Sequence, residues 1–158
     1  MTLQDRYRTL ARIGGNLASS LTWLPPLVAR ITLGVVFVQT GWGKLNHMSV
    51  AVENFRKWGI PAPEVQAPFS STCELVFGAL LLIGFWTRFA AIPLIIVMLV
   101  AMKVTAFDPQ QAANEGTLSY LFGLTEYLYV VILLWLAIYG PGPVSVDRMV
   151  SHKTGSPS

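Results

Sequence analysis

The residues of this chain that have chemistry to offer are few, and most of them sit inside apolar runs. Glu74 lies within the run from Pro68 to Trp86, and Glu126 within the run from Leu118 to Tyr139. Lys103 closes the run from Phe89 to Phe107, while Arg30, Gln39 and Lys44 interrupt the run from Trp23 to Leu45. A carboxylate can take up and release a proton, an ammonium group can balance its charge, and glutamine or tyrosine can hold a polar headgroup by hydrogen bonds. Glu74 and Glu126 are therefore the candidate catalytic groups. Gln39, Lys44, Lys103 and Tyr127 are candidate binding residues for a polar ligand. The same charges also read as ion pairs that fix helix packing, and both readings stay open.

The donor set narrows the chemistry further. A single cysteine, Cys73, excludes an intramolecular disulfide, a dithiol redox pair and a cysteine-based zinc or iron–sulfur site. It reads as an ordinary small buried residue. His47 and His152 both lie outside the apolar runs, so a bis-histidine haem site has no ligands there, and no metal site is expected.

The elements that must position these groups are membrane helices. Hydrophobic residues make up 53% of the 158-residue chain and charged residues 12%, about half the charged share of a soluble domain. Mean hydropathy is +0.55. With a net charge of only +3, this composition excludes a soluble enzyme domain, a disordered tail and a nucleic-acid binder. Each of the four runs is roughly 20 residues, the length at which a helix crosses ~30 Å of hydrocarbon. Continuous rather than alternating apolarity points to helices. Pro25 and Pro26 suit a first turn, and Gly140-Pro141-Gly142-Pro143 ends the last run. The expected architecture is an all-α integral membrane antiparallel four-helix bundle spanning residues 23–140. It follows a cytoplasmic amphipathic segment, 1–22, and precedes a cytoplasmic tail, 141–158.

Several local expectations follow. The first run is too long for a signal-peptide core and lacks a small-residue cleavage site. Leu3, Tyr7, Leu10, Leu17 and Leu21 lie opposite Arg6, Arg8 and Arg12, which reads as a surface helix or, alternatively, as a frayed basic tail. In the loop after the first span, Val50 to Trp58 reads as a short amphipathic helix with Val50, Phe55 and Trp58 as apolar contacts, stopped at Gly59. Gly34, Gly41, Gly78 and Gly84 are candidate points of close helix contact. Six basic residues (Arg6, Arg8, Arg12, Arg88, Arg148, Lys153) fall on one side against three (Lys44, Arg56, Lys57) on the other, which favours cytoplasmic termini.

Depth follows from the rise of 1.5 Å per residue. Counted from the run ends, Glu74 lies roughly 9 Å deep, Glu126 roughly 12 Å, Lys103 roughly 6 Å and Gln39 about 10 Å. With Lys44 above them they form one layer of the outer leaflet. Arg30 lies on the other side, where it is expected to snorkel to the cytoplasmic surface. Arg30, Arg88 and Asp147 are the expected structural ion-pairing groups of that side.

Ordered landmarks along the chain carry a resemblance. Span one reads ARITLGVVFVQTGWGKL, the outer loop FRKWGIPAP, span two and its turn CELVFGALLLIGFWTRFAA, and the end LTEYLYVVILLWLAIYGPGPVSVDRMV. Together, over roughly residues 28–150, these resemble the DoxX family of small four-helix membrane proteins. The resemblance implies a bacterial inner-membrane protein linked to quinone-dependent redox chemistry, one branch including the small subunit of thiosulfate:quinone oxidoreductase. It implies no covalent cofactor, a quinone as ligand, and partners in the lipid bilayer and other subunits of a membrane complex. Some members carry a histidine where Thr40 stands here, and others one near the end of span three, where Lys103 to Ala106 has none. That weakens any histidine acid–base mechanism carried over from relatives.

Three functions compete on these residues. The first is a quinone-linked subunit whose Glu74 and Glu126 accept or pass protons, Lys44 or Lys103 holding their charge. A second is a non-catalytic anchor or assembly subunit. A small transporter is the third, disfavoured because the spans show no internal repeat. Tyr120, Tyr127, Tyr129 and Trp135 divide likewise between packing anchors and a quinone-ring clamp.

Overall fold

The apolar runs fold as helices. The computed structural model describes residues 19–106, 109, 113–114 and 116–148. The order is α1 (Leu24–Asn46), α2 (Met48–Lys57), α3 (Pro63–Ile83), α4 (Thr87–Ala101), a π-helical turn (Met102–Ala106), α5 (Thr117–Gly123) and α6 (Thr125–Tyr139). The chain is an all-α membrane protein. Among the described residues, α1, α3 and Thr87–Val104 are each long and apolar enough to cross a bilayer; α5 and α6 reach that length only together, as a bent pair, which makes three spans, or four where the pair counts as one. The surface-helix expectation for the N-terminal segment falls almost wholly outside the described residues, as does the end of the C-terminal tail.

Helices α1 and α3 form the closest contact in the bundle, and glycine is the reason. A Cβ at Gly41 would stand 2.6 Å from the Leu75 backbone nitrogen, one at Gly78 2.7 Å from Phe37 Cβ, and one at Gly34 2.8 Å from Leu82 Cβ. Gly34 meets Leu82 while Gly41 meets Leu75, so the two helices run antiparallel with their backbones nearly touching. Lipid is as apolar as leucine, so such close packing, rather than expulsion of water, holds membrane helices together. Leu33, Phe37, Leu81, Leu94, Leu133 and Leu136 fill the centre, joining this pair to α4 and α6. Outward faces carry Val28, Ile83, Ile92, Leu134 and Ile138, all exposed as lipid-facing residues are.

Three local expectations are corrected. The fourth run is not one straight helix: Leu124 is extended (φ −73°, ψ 131°), and α5 and α6 diverge by 73°. Gly123 and β-branched Thr125, both weak helix formers, flank the break. The helix after span one runs Met48–Lys57, and it buries Ala51 and Phe55 while Val50 is exposed. Gly84 is a turn residue rather than a helix contact. It takes φ +72° after α3, and its missing side chain leaves room for the Arg30 guanidinium.

That turn is stitched by the C-terminal segment. Trp86 holds a left-handed conformation (φ +49°) that a bulky residue seldom adopts. Its N–H donates to Asp147 Oδ1 at 2.7 Å, and Thr87 N–H donates to Oδ2 at 3.2 Å, so one carboxylate caps α4 from 60 residues away in sequence. Asp147 N–H in turn donates to the Gly84 carbonyl at 3.1 Å. A carboxylate across free N–H groups at a helix start satisfies orphan donors and complements the helix dipole.

Candidate functional site

At the end of the bundle opposite this turn, α1, α3, α4 and α6 part around a cavity of about 350 Å³, with Phe55 and Trp58 at its rim. Most of its wall is aliphatic or aromatic. The polar exceptions come in helical series. Gln66, Ser70 and Glu74 are four residues apart on α3, hence on one stripe of that helix. Thr40 and Lys44 are likewise four apart on α1. Glu126 and Tyr129 enter from the first turns of α6.

The centre of the site is an ion pair. Lys44 Nζ donates to Glu74 Oε1 at 2.6 Å across the α1–α3 contact. Glu74 is 1% exposed and the Lys44 side chain 34%, so the carboxylate is buried while the lysine is only partly covered. The second oxygen, Glu74 Oε2, is buried and has no hydrogen-bond partner among the described residues. An unpaired carboxylate oxygen in an apolar wall is a free acceptor, costly to leave dry and suited to a donor brought by a ligand. Tyr129, which lines the same cavity, is held by edge-on contact with Phe37, ring centroids 6.2 Å apart.

The break between α5 and α6 is what delivers Glu126. The glutamate stands in the first turn of α6, not deep inside a straight helix, and its carboxylate sits at the positive end of the α6 dipole. Of the expected polar layer, Glu74, Glu126 and Lys44 thus share the cavity. Gln39, Lys103 and Tyr127 do not line it. Gln39 is exposed on the outer face of α1. Lys103 is exposed in the π-helical turn, while Ala101 and Val104 on either side reach the cavity wall. Tyr127 packs on Phe122 instead, ring centroids 5.3 Å apart.

The cytoplasmic-side expectations are also revised. Arg30 does not snorkel; it is 2% exposed, and Nη2 donates to the Val144 carbonyl, tying α1 to the segment after α6. Asp147 attracts it electrostatically but forms no salt bridge with it, being engaged as the α4 cap. Arg88 is exposed beside Gly140. Cys73 is half-buried and free. Outside the spans, Arg56 bridges Glu64 at 2.6 Å and Glu53 at 2.8 Å, strapping α2 to the start of α3. Hydrogen bonds that Arg56 donates to Glu64 and then to Glu53 push the guanidinium above its already high ordinary value.

Tyr129 is one of the aromatics that the sequence offers as a ring clamp, whereas Thr40, Gln66 and Ser70 are not singled out there as site residues. The spacing Gln66-Ser70-Glu74 was the available signal, because three polar residues four apart in a span must share one face.

Comparison with known proteins follows the same outline. A family model described as DoxX matches residues 26–108. An uncharacterized membrane protein of Mycobacterium tuberculosis is 31% identical over 82% of this chain and 84% of its own length. The inner membrane protein YqjF of Escherichia coli is 32% identical, covering 80% of this chain and 92% of the relative. The inner membrane protein YphA of the same organism is 26% identical, over 77% and 87%. No solved structure matches.

Proposed function

This chain belongs to the DoxX family of membrane proteins, and from that premise we propose that it is the membrane subunit of a quinone-linked redox complex, its cavity binding the quinone headgroup. The observation that carries this reading is the buried, unpartnered Glu74 Oε2 in an otherwise apolar cavity of about 350 Å³. Such a wall suits an apolar ring with a polar edge. A bound quinone would supply two-electron, two-proton chemistry.

The residues of the chain account for the protons. Glu74 Oε2 accepts the hydrogen bond of a ligand hydroxyl and then its proton. Lys44 holds Oε1 and so aims the free oxygen inward. Glu126 offers a second carboxylate to the same cavity from α6, and protons leave past the partly exposed Lys44. Electrons pass to or from a partner subunit carrying a redox centre, because among the described residues no three histidine, cysteine or acidic side chains come together. Two relatives are named as inner membrane proteins, which supports the same membrane for this chain. With the basic asymmetry of the loops, both termini are cytoplasmic and the cavity opens in the outer leaflet.

Extraction in native lipid, followed by mass spectrometry of bound quinones and proteins, tests the assignment. A quinone and a fixed redox partner are expected. Glu74→Gln and Glu126→Gln should assemble yet lower quinone-linked turnover of that complex. Stable, assembled variants with full turnover refute the proton role and leave a non-catalytic anchor.

A further inference from the structure

The outward face of α1 carries a pattern that the cavity does not use. At 100° per residue, Gln39 lies roughly 160° round the helix from Phe37, which faces α3. Along that outward face stand Val28, Thr32, Val35, Gln39, Trp42 and Asn46, spaced alternately four and three residues apart, and every one is exposed. This is the heptad spacing of a coiled-coil seam, with apolar residues at one position and polar residues at the other. Gln39 makes no hydrogen bond among the described residues. Its place on a bilayer-facing surface, about 10 Å from the helix end, leaves an amide facing hydrocarbon in a single copy.

We propose that this face is a homodimer interface, with α1 of a second copy packed in parallel against the first. Two copies inserted in the same direction are related by an axis along the membrane normal, so their α1 helices run parallel. In a parallel pair, equivalent seam positions face each other, and Thr32, Gln39 and Asn46 each meet their own counterpart. An amide is both donor and acceptor, so Gln39 is satisfied by a copy of itself. Polar groups of this kind bridge membrane helices and set their register.

Gly43 supports the same geometry independently. A Cβ added there would meet nothing within 4 Å, in contrast to Gly41, where it would meet backbone at 2.6 Å. Packing among the described residues therefore gives no reason for glycine at 43, and a glycine inside a helix is destabilising relative to alanine. In a parallel seam, the Trp42 side chain enters the hole formed by Gln39, Trp42, Gly43 and Asn46 of the facing helix. The missing side chain at 43 makes room for the indole.

The test uses the full chain in native membranes, with Cys73→Ala as background and single Gln39→Cys, Thr32→Cys and Leu134→Cys variants. Leu134 is equally exposed to lipid, on α6 and away from the seam. Mild oxidation should give covalent dimers from Thr32→Cys and Gln39→Cys at least tenfold faster than from Leu134→Cys. Equal rates, or cross-linking of Gln39→Cys to a different protein, overturn the proposal. In vesicles, single-molecule photobleaching of Gln39→Leu should show a dimer dissociation constant raised about 3- to 30-fold, the range for interhelical hydrogen bonds. Gly43→Leu should weaken the dimer similarly while leaving helical circular dichroism intact, since the single copy has space for the side chain. An unchanged dimer fraction in either variant overturns the assignment.

Discussion

Replacing Lys44 by leucine should destabilise the bundle more than replacing Glu74 by glutamine, although the two residues form one ion pair. The asymmetry comes from burial: Glu74 is 1% exposed and Lys44 34%. Lys44→Leu strands a carboxylate in an apolar wall, and breaking a buried pair from that side costs about 3–5 kcal/mol. Glu74→Gln leaves a lysine whose four-carbon stem lets the ammonium swing toward water, and the amide oxygen still accepts a hydrogen bond. That change should cost about 1–2 kcal/mol. The double variant removes both charges together and should lose only ~1–2 kcal/mol, which corresponds to a coupling energy of about 3–5 kcal/mol. Unfolding in mixed micelles by dodecyl sulfate titration, followed by circular dichroism, measures all three. Equal single losses that add in the double variant would refute the pair as the element that holds Glu74 Oε2 toward the cavity.

Gly41→Ala places a methyl group 2.6 Å from the Leu75 nitrogen and 2.8 Å from the Ser71 carbonyl, neither of which can yield alone. A loss of about 1–3 kcal/mol in the same titration is expected. Asp147→Ala removes both acceptors from the start of α4 and should cost ~1–2 kcal/mol. Hydrogen exchange at Trp86 and Thr87 should accelerate while that of the α1–α3 contact does not. For orientation, an engineered thiol at Ala62 should react with an impermeant reagent only from outside, and one at Ser156 only from the cytoplasm; the reverse pattern would overturn the basic-residue argument.

Composition and run length alone determined that this is an all-α membrane protein, because a helix is the form in which a long apolar run satisfies its own backbone in lipid. Residue type also marked Glu74, Glu126 and Lys44 as unusual, since a charge inside a span is expensive wherever the helix is placed. Small residues at Gly34, Gly41 and Gly78 announced a close contact, although not its partner. Which polar groups meet was decided by tertiary structure. Depth counted along a straight helix put Gln39, Lys103 and Glu126 in one layer with Glu74, but depth carries no information about rotation. Rotation is set by packing: the glycine contact with α3 turns Gln39 outward and Lys44 inward, and the break at Leu124 brings Glu126 to the cavity. The Arg30 bond to Val144 and the Asp147 cap join residues 114 and 60 positions apart. No local pattern encodes them, because each partner is an ordinary backbone group that becomes special only when the folded chain leaves it unpaired.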